Sequence, residues 1–227
     1  MTNPKIAVDI WSDVMCPWCA VGYTQFAKAI EGLKGELDVE VRWMPFELNP
    51  DLPAEGKEQA AHLGEVYGRT PDEVAEMRAQ MQASAARAGY SMEYSGEGEE
   101  PPAMMWNTFA AHRLLRWALT QAGPEGQTRL KEALFAAHFQ KRRNIADREV
   151  LLDIVESLGF DRSEASEALD DEALSAATRI EEERGRRAGI NSVPSFVING
   201  NYLIQGARDA GDYAGLLRQV AGMTANA

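Results

Sequence analysis

Cys16 and Cys19 are the whole thiol inventory of a 227-residue chain, and they stand three positions apart in the run Cys16-Pro17-Trp18-Cys19. A structural zinc site takes four ligands; a second cysteine pair is missing and the three histidines, His62, His112 and His138, are scattered, so no metal is expected. A structural disulfide closing so short a loop restricts the unfolded chain very little. Thiol-disulfide exchange remains. Its attacking species is a thiolate, which a helix N-terminus stabilises through unpaired N–H groups and a positive dipole end. Cys16 is therefore expected to be the exposed, acidic nucleophile, and Cys19, on the same helix face, the more buried thiol that resolves the mixed disulfide. Pro17 fits the first helical turn without losing a hydrogen bond, and Trp18 shapes the rim of the site.

These residues need a strand before them and a helix after them. Residues 5–11 alternate and are β-branched, giving a strand that ends in a turn at Ser12 and Asp13. From Pro17 to about Leu33, Ala20, Val21, Tyr23, Phe26, Ala27, Ile30 and Leu33 recur at helical spacing, so Cys16 opens a helix. Residues 38–46 read as a second strand. From Asn49 to Gly189 the composition turns to Ala, Glu, Arg, Leu and Met, and helix starts become legible. The clearest is Thr70-Pro71-Asp72-Glu73, a capping box with proline at the first position, for a helix ending at Gly89. Residues 93–102 are polar and proline-ended, which predicts a mobile loop. Further helices are expected over 104–121, 125–140, 148–158, 163–169 and 172–188. Strand character returns at Ser195–Ile198 and Asn201–Ile204 around Asn199-Gly200, a strong hairpin signal, before a last helix over 212–221. Both ends supply strands, so the helical block is an insertion into one α/β domain: residues 1–48 with 190–227, interrupted by 49–189.

The net charge of −12 opposes binding to nucleic acid or anionic membranes. The short basic runs at 141–143 and 184–187 read as solvated faces. No apolar stretch approaches the roughly 20 residues that span a bilayer, and the start of the chain shows no secretion signal, so the expected compartment is the cytoplasm. Among other polar residues, His112 and Asn107 either line a cleft facing the cysteines or serve helix packing, His138 belongs to the core or a subunit contact, and His62 is expected in solvent. Trp11, Trp43, Trp106 and Trp117 are core or groove aromatics.

A second signal is Ser192-Val193-Pro194-Ser195-Phe196-Val197-Ile198, a proline opening an apolar run, which by itself marks a strand's first residue or edge. Together with the upstream cysteine pair, it resembles the thioredoxin superfamily, whose cis-proline loop lies against the active-site cysteines. The resemblance implies that Pro194 is cis and that the Val193 backbone pairs with a bound peptide or thiol, adding Val193 and Pro194 to Pro17 and Trp18 as substrate-binding residues. Pro45-Phe46-Glu47-Leu48-Asn49-Pro50, Asn107-Thr108-Phe109-Ala110-Ala111-His112-Arg113 and a hairpin ending at Gly206-Ala207 extend it over nearly the whole chain. In these the sequence is similar to the FrnE-like branch of DsbA-type oxidoreductases, which implies a thioredoxin fold with a large all-helical insertion between the second strand and the cis-proline hairpin. Relatives of that branch include glutathione-dependent hydroxychromene-carboxylate isomerases and kappa-class transferases, in which a serine generally takes the first cysteine's place. Cys16 departs from that pattern and favours redox work, while Ser192 stands where many relatives carry glycine. The implied activity is protein disulfide oxidase, reductase or isomerase, with a glutathione-dependent transferase or isomerase as the alternative. No cofactor is implied, glutathione is admitted as a co-substrate, and the partner is a disulfide- or thiol-containing protein or small molecule, with a homodimer compatible.

Overall fold

The computed structural model describes residues 3–225. The elements in chain order are β1 (Lys5–Ser12), α1 (Pro17–Gly32), β2 (Asp38–Pro45), β3 (Lys57–Glu58), α2 (Gln59–Tyr67), α3 (Pro71–Ala88) and β4 (Met104–Met105). There follow α4 (Phe109–Phe139), α5 (Arg148–Ser157), α6 (Arg162–Asp170), α7 (Glu172–Arg187), β5 (Ser195–Ile198), β6 (Tyr202–Gln205) and α8 (Ala210–Ala225).

β1 pairs in parallel with β2, a geometry no tight turn can close, and α1 makes the crossover. On its other side β1 pairs antiparallel with β5, and β5 with β6, giving the order β2-β1-β5-β6. The turn between the last two strands puts Asn199 and Gly200 at φ 49° and 71°, the positive values that the Asn-Gly pair tolerates and a two-residue hairpin requires. This is a thioredoxin fold, with helices inserted between β2 and β5.

One face of the sheet, from Ile6, Val8, Ile10 and Phe196, packs on α1 and α8 through Phe26, Tyr213 and Leu217, and the same core contains both cysteines. A smaller apolar group of Trp11, Met44, Phe46 and Ile190 lies apart from it. Gly185 of α7 rests against the Trp11 indole with no room for a side chain: a Cβ there would stand 2.3 Å from the ring. The helices have a core of their own, which takes in Val14 and Met15, so the insertion grips the loop immediately before the cysteines. It also closes the open edge of β2. The Gln127 side-chain amide of α4 accepts from the Trp43 N–H at 2.8 Å and donates to the Trp43 carbonyl at 2.9 Å, standing in for a strand.

The α3 capping box forms as its sequence predicts, with Thr70 accepting from the Glu73 N–H and Glu73 from the Thr70 N–H. The long stretch read as two helices holds two, separated at Ala122 and Gly123, which leave helical geometry, Gly123 taking φ 65° ahead of Pro124. Its first helix begins at Phe109 rather than 104, because Met104 and Met105 pair with Lys57 and Glu58 in a two-stranded sheet that hydrophobic periodicity does not signal. The loop over 93–102 is irregular yet tethered. The Ser95 N–H donates to the Gln140 carbonyl at 2.8 Å, and Arg142 pairs with Glu100. His62 is buried rather than solvated, its Nε2 lying 3.1 Å from Asn49 Oδ1.

Candidate active site

Cys16 is the N-cap residue of α1, in extended conformation with no side-chain cap, and Pro17 takes the first helical position. The Cys16 carbonyl accepts from the N–H groups of Cys19 and Ala20, which fixes the two cysteines one turn apart. Both are reduced. Cys16 is 4% exposed and Cys19 1%, so the order of burial is the expected one, but Cys16 is recessed rather than exposed. Trp18, 47% exposed, stands outside them. The Val193–Pro194 peptide bond is cis, and the Cys16 thiol donates to the Val193 carbonyl, Sγ to O 3.6 Å. Pro194 is buried, and its ring lies against Gly22 on the inner face of α1, where an added Cβ would be 3.1 Å from Pro194 Cγ. Cys16, Cys19, Pro17, Trp18, Val193 and Pro194 are thus brought together.

The expected acidity of Cys16 is not what its surroundings produce. The adjoining Cys19 thiol, burial and the Asp13 carboxylate push the Cys16 thiol well above its ordinary value, against the Cys19 N–H, which pulls it down. The physical reason is that two buried thiols in contact compete for one negative charge, and a fixed carboxylate opposes placing it on the nearer. A helix N-terminus offers typically about 0.3–1 kcal/mol to an anion, less than the roughly 1.4 kcal/mol that a single pKa unit represents.

Asp13 is the residue that composition and spacing read only as a turn. It is fully buried. Its Oδ1 accepts from the Met15 N–H at 3.3 Å and its Oδ2 from the Leu48 N–H at 2.8 Å, while its own carbonyl accepts from the Cys16 N–H at 3.2 Å. Burial alone would raise its pKa, but His112, the Leu48 N–H and Lys131 outweigh it and hold the carboxyl below the usual carboxylate range. Lys131 of α4 is equally buried. Its ammonium contacts the Ser12 carbonyl at 3.4 Å and lies 5.1 Å and 5.0 Å from the ring centres of Trp43 and Phe135. Burial pulls its pKa down to about 8, against the charges of Cys19, Asp13 and Cys16. A signal for it existed in the sequence: Lys131 falls in the stripe Gln127, Leu130, Leu134, His138, all buried, where a lysine without a partner is out of place.

His138, two turns beyond Lys131, is buried against Phe139 at 4.6 Å between ring centres, and burial lowers its pKa to about 4. Asn107 serves the local backbone, accepting from the Phe109 N–H and donating to Glu47 and to the Pro50 carbonyl. His112 packs against the underside of the site, its Nε2 lying 3.8 Å from Asp13 Oδ1. Trp11, Trp43 and Trp117 are buried.

Over residues 7–218 the sequence matches the family described as a DSBA-like thioredoxin domain. The chain belongs to this family. Among DSBA-like proteins of known structure it is similar to the probable DsbA oxidoreductase SCO1869 from Streptomyces coelicolor, with 28% identity and a TM-score of 0.82 over 96% of this chain and 90% of that one. It shares the fold of the cytosolic disulfide reductase DsbM from Pseudomonas aeruginosa, with 20% identity and a TM-score of 0.59 over 97% of each chain. A curated relative, the uncharacterized protein YwbO of Bacillus subtilis (strain 168), is 29% identical over 204 residues, 89% of this chain and 90% of that protein. The DSBA-like family is one of thiol-disulfide oxidoreductases, and the chain also shares its fold with a 2-hydroxychromene-2-carboxylate isomerase, with 14% identity and a TM-score of 0.60 over 96% of each chain.

Proposed function

We propose that this DSBA-like protein is a disulfide reductase acting through Cys16 and Cys19, with glutathione as the thiol that restores its reduced state. The observation that carries the direction is the setting of Cys16, which is recessed beside a second thiol and a buried carboxylate, so that its thiolate is disfavoured. A dithiol becomes a strong oxidant when its reduced form is stabilised, chiefly as a thiolate; a pair denied that stabilisation gives its electrons away.

In the proposed cycle Cys16 loses its proton and attacks one sulfur of a substrate disulfide. The substrate S–S bond breaks, and the distal sulfur departs with the bonding pair. Cys19 then attacks Cys16, the bond between Cys16 and the substrate breaks, and the second substrate sulfur leaves as a thiol after taking a proton. Two electrons have passed to the substrate, leaving a Cys16–Cys19 disulfide that two glutathione molecules reduce with release of glutathione disulfide. Val193 and Pro194, which face Cys16, would hold an extended substrate by its main chain, and Pro17 and Trp18 would form the near wall. The DsbM neighbour was also determined with glutathione. Placement in the FrnE-like branch, the division into 1–48 with 190–227 and 49–189, and a reducing compartment such as the cytoplasm belong to the same proposal. Among the described residues no helix is long and apolar enough to cross a membrane.

The test is Cys19→Ser. The resolving thiol attacks from within the molecule, at an effective concentration far above that of free thiols. The variant is expected to accumulate a mixed disulfide on Cys16, visible by mass spectrometry, and to lose roughly two orders of magnitude in disulfide turnover. Full turnover in Cys19→Ser, or a wild type inert towards disulfides that conjugates or isomerises electrophiles with glutathione, overturns the proposal.

A further inference from the structure

Between β2, α4 and α7 lies a cavity of about 200 Å³ that the cysteine chemistry does not use. One wall is apolar, built from Trp43, Met44 and Pro45 of β2 with Leu115 and Leu119 of α4. The other is charged: Asp9 and Arg42 from the sheet, Arg116 from α4, and Glu181 and Arg184 from α7. The side chains of Arg42 and Arg184, 44% and 64% exposed, stand at the mouth, and His112, with 1%, closes the floor.

Pairing leaves the charged wall unbalanced. Arg42 gives its Nε and Nη2 to Asp9 Oδ1, at 2.9 Å and 2.8 Å. Glu181 serves two guanidiniums at once, Arg116 through Nη1 and Arg184 through Nη2, the latter at 3.4 Å. A guanidinium carries five N–H donors in a planar fork, so Arg116 and Arg184 each keep an edge with which to grip a second carboxylate. The next acids, Glu47 and Glu182, pair with Arg179 and do not line the cavity. At the floor His112 Nε2 has no hydrogen-bond partner, Asp13 Oδ1 standing off at 3.8 Å. Buried polar atoms are ordinarily matched, so an unmatched one at the end of a cavity points to an occupant.

The surplus selects the ligand. Three guanidiniums face two carboxylates, which leaves one positive charge in a chain whose net charge is −12. The surrounding negative field opposes polyanions, whereas a monoanion meets the local surplus. Water suits the apolar wall poorly, because a buried water needs about two to four polar partners. A cavity of roughly 150 Å³ holds benzene, and by that measure this one takes about eight or nine heavy atoms.

We propose that this cavity binds a small organic monocarboxylate, its carboxylate gripped by Arg116 and Arg184 and its apolar body lying against Met44, Pro45, Leu115 and Leu119. The site is separate from the cysteines and does not depend on the redox reading of Cys16. An occupant would touch His112, which packs beneath the turn that ends at Cys16.

Benzoate is the probe, titrated into the reduced full-length chain and followed by amide and indole N–H NMR signals. It is expected to shift Trp43, Leu115 and Leu119 with a Kd of about 1 mM or tighter, the strength that so small a ligand reaches at modest efficiency per atom. Benzyl alcohol, which has the body without the charge, and inorganic phosphate, which has charge without the body, are expected to bind about tenfold more weakly or worse. Arg116→Gln and Arg184→Gln are each expected to weaken benzoate by about tenfold or more and to leave benzyl alcohol unchanged. Leu119→Trp, which fills the cavity, is expected to abolish both. Arg184 projects into solvent, so its variant keeps the fold even where the other two do not. Shifts confined to Trp18 and Val193, benzyl alcohol or phosphate binding as well as benzoate, or no shift at tens of millimolar would each overturn the proposal. No thiol takes part in the readout, so a failed site and a failed reductase assignment are separate results.

Discussion

Replacing Lys131 by methionine tests the electrostatics of the site without touching a cysteine. The lysine is wholly buried, and its pKa falls from 10.5 to about 8 in the fold. At roughly 1.36 kcal/mol for each unit, that shift is a penalty of about 3 kcal/mol carried by the folded state while the lysine is charged in both states, below pH 8. Between pH 8 and 10.5 the unfolded chain binds the extra proton, so the penalty is relieved as pH rises and is gone above the unfolded value. Methionine fills similar volume and removes it. The loss of the hydrogen bond to the Ser12 carbonyl and of two ring contacts takes back on the order of 1–2 kcal/mol. Lys131→Met is therefore expected to be more stable than wild type at pH 7 by about 1–2 kcal/mol, and equal or less stable at pH 10.5. Urea unfolding of both reduced proteins across that range is the assay. A variant less stable than wild type by the same amount at every pH would show that the ammonium is fully compensated in the fold, and would refute the reasoning.

Two further perturbations address the scaffold. Gln127→Leu removes the amide that pairs with the β2 edge and leaves the Trp43 N–H and carbonyl unmatched, at about 1–3 kcal/mol each; urea unfolding should show a loss of roughly 2–5 kcal/mol, and a loss below 1 kcal/mol would mean that water replaces the amide. Gly185→Ala drives a Cβ into the Trp11 ring at 2.3 Å and should destabilise by about 1–3 kcal/mol, whereas Gly215→Ala on the open face of α8, with nothing within 4 Å, should stabilise by about 0.5–1 kcal/mol. The same unfolding curves check both, and matching signs for the two alanines would count against the packing argument.

The cysteine motif, the hairpin and the strand-helix-strand opening were legible because each rests on local chemistry: a thiol spacing, an Asn-Gly turn, alternation against helical period. The β3–β4 pairing was not, since it joins residues 57–58 to 104–105 through a few main-chain bonds that leave no periodic trace. Asp13 escaped for a different reason. An aspartate before a helix is an ordinary turn residue, and only the folded chain shows Leu48 and His112 closing over it. His62 was misjudged because the helix around it was taken as polar and solvated although Ala60, Ala61 and Leu63 flank it, while the residue it meets, Asn49, lies on a loop thirteen positions away. The acidity expected of Cys16 failed because a dipole argument weighs one helix end and omits the second thiol and the carboxylate beside it.

That failure bears on why charge is kept beneath the cysteines at all. A buried lysine and carboxylate can commonly be exchanged for packed apolar residues with no loss of stability, and often with a gain. Asp13 and Lys131 therefore do not earn their place by holding the fold together. What apolar replacements cannot do is oppose a thiolate on Cys16. Known dithiol couples spread over about 150 mV, roughly 7 kcal/mol for two electrons, and a few kcal/mol of local electrostatics moves a pair a good part of that distance. With the carboxylate held ionised by His112, the Leu48 N–H and Lys131 against its burial, the field at Cys16 favours the thiol over the thiolate. Neutralising Asp13 without removing the cysteines is therefore expected to ease thiolate formation on Cys16 and to raise the reduction potential of the pair, which titration in glutathione buffers would read.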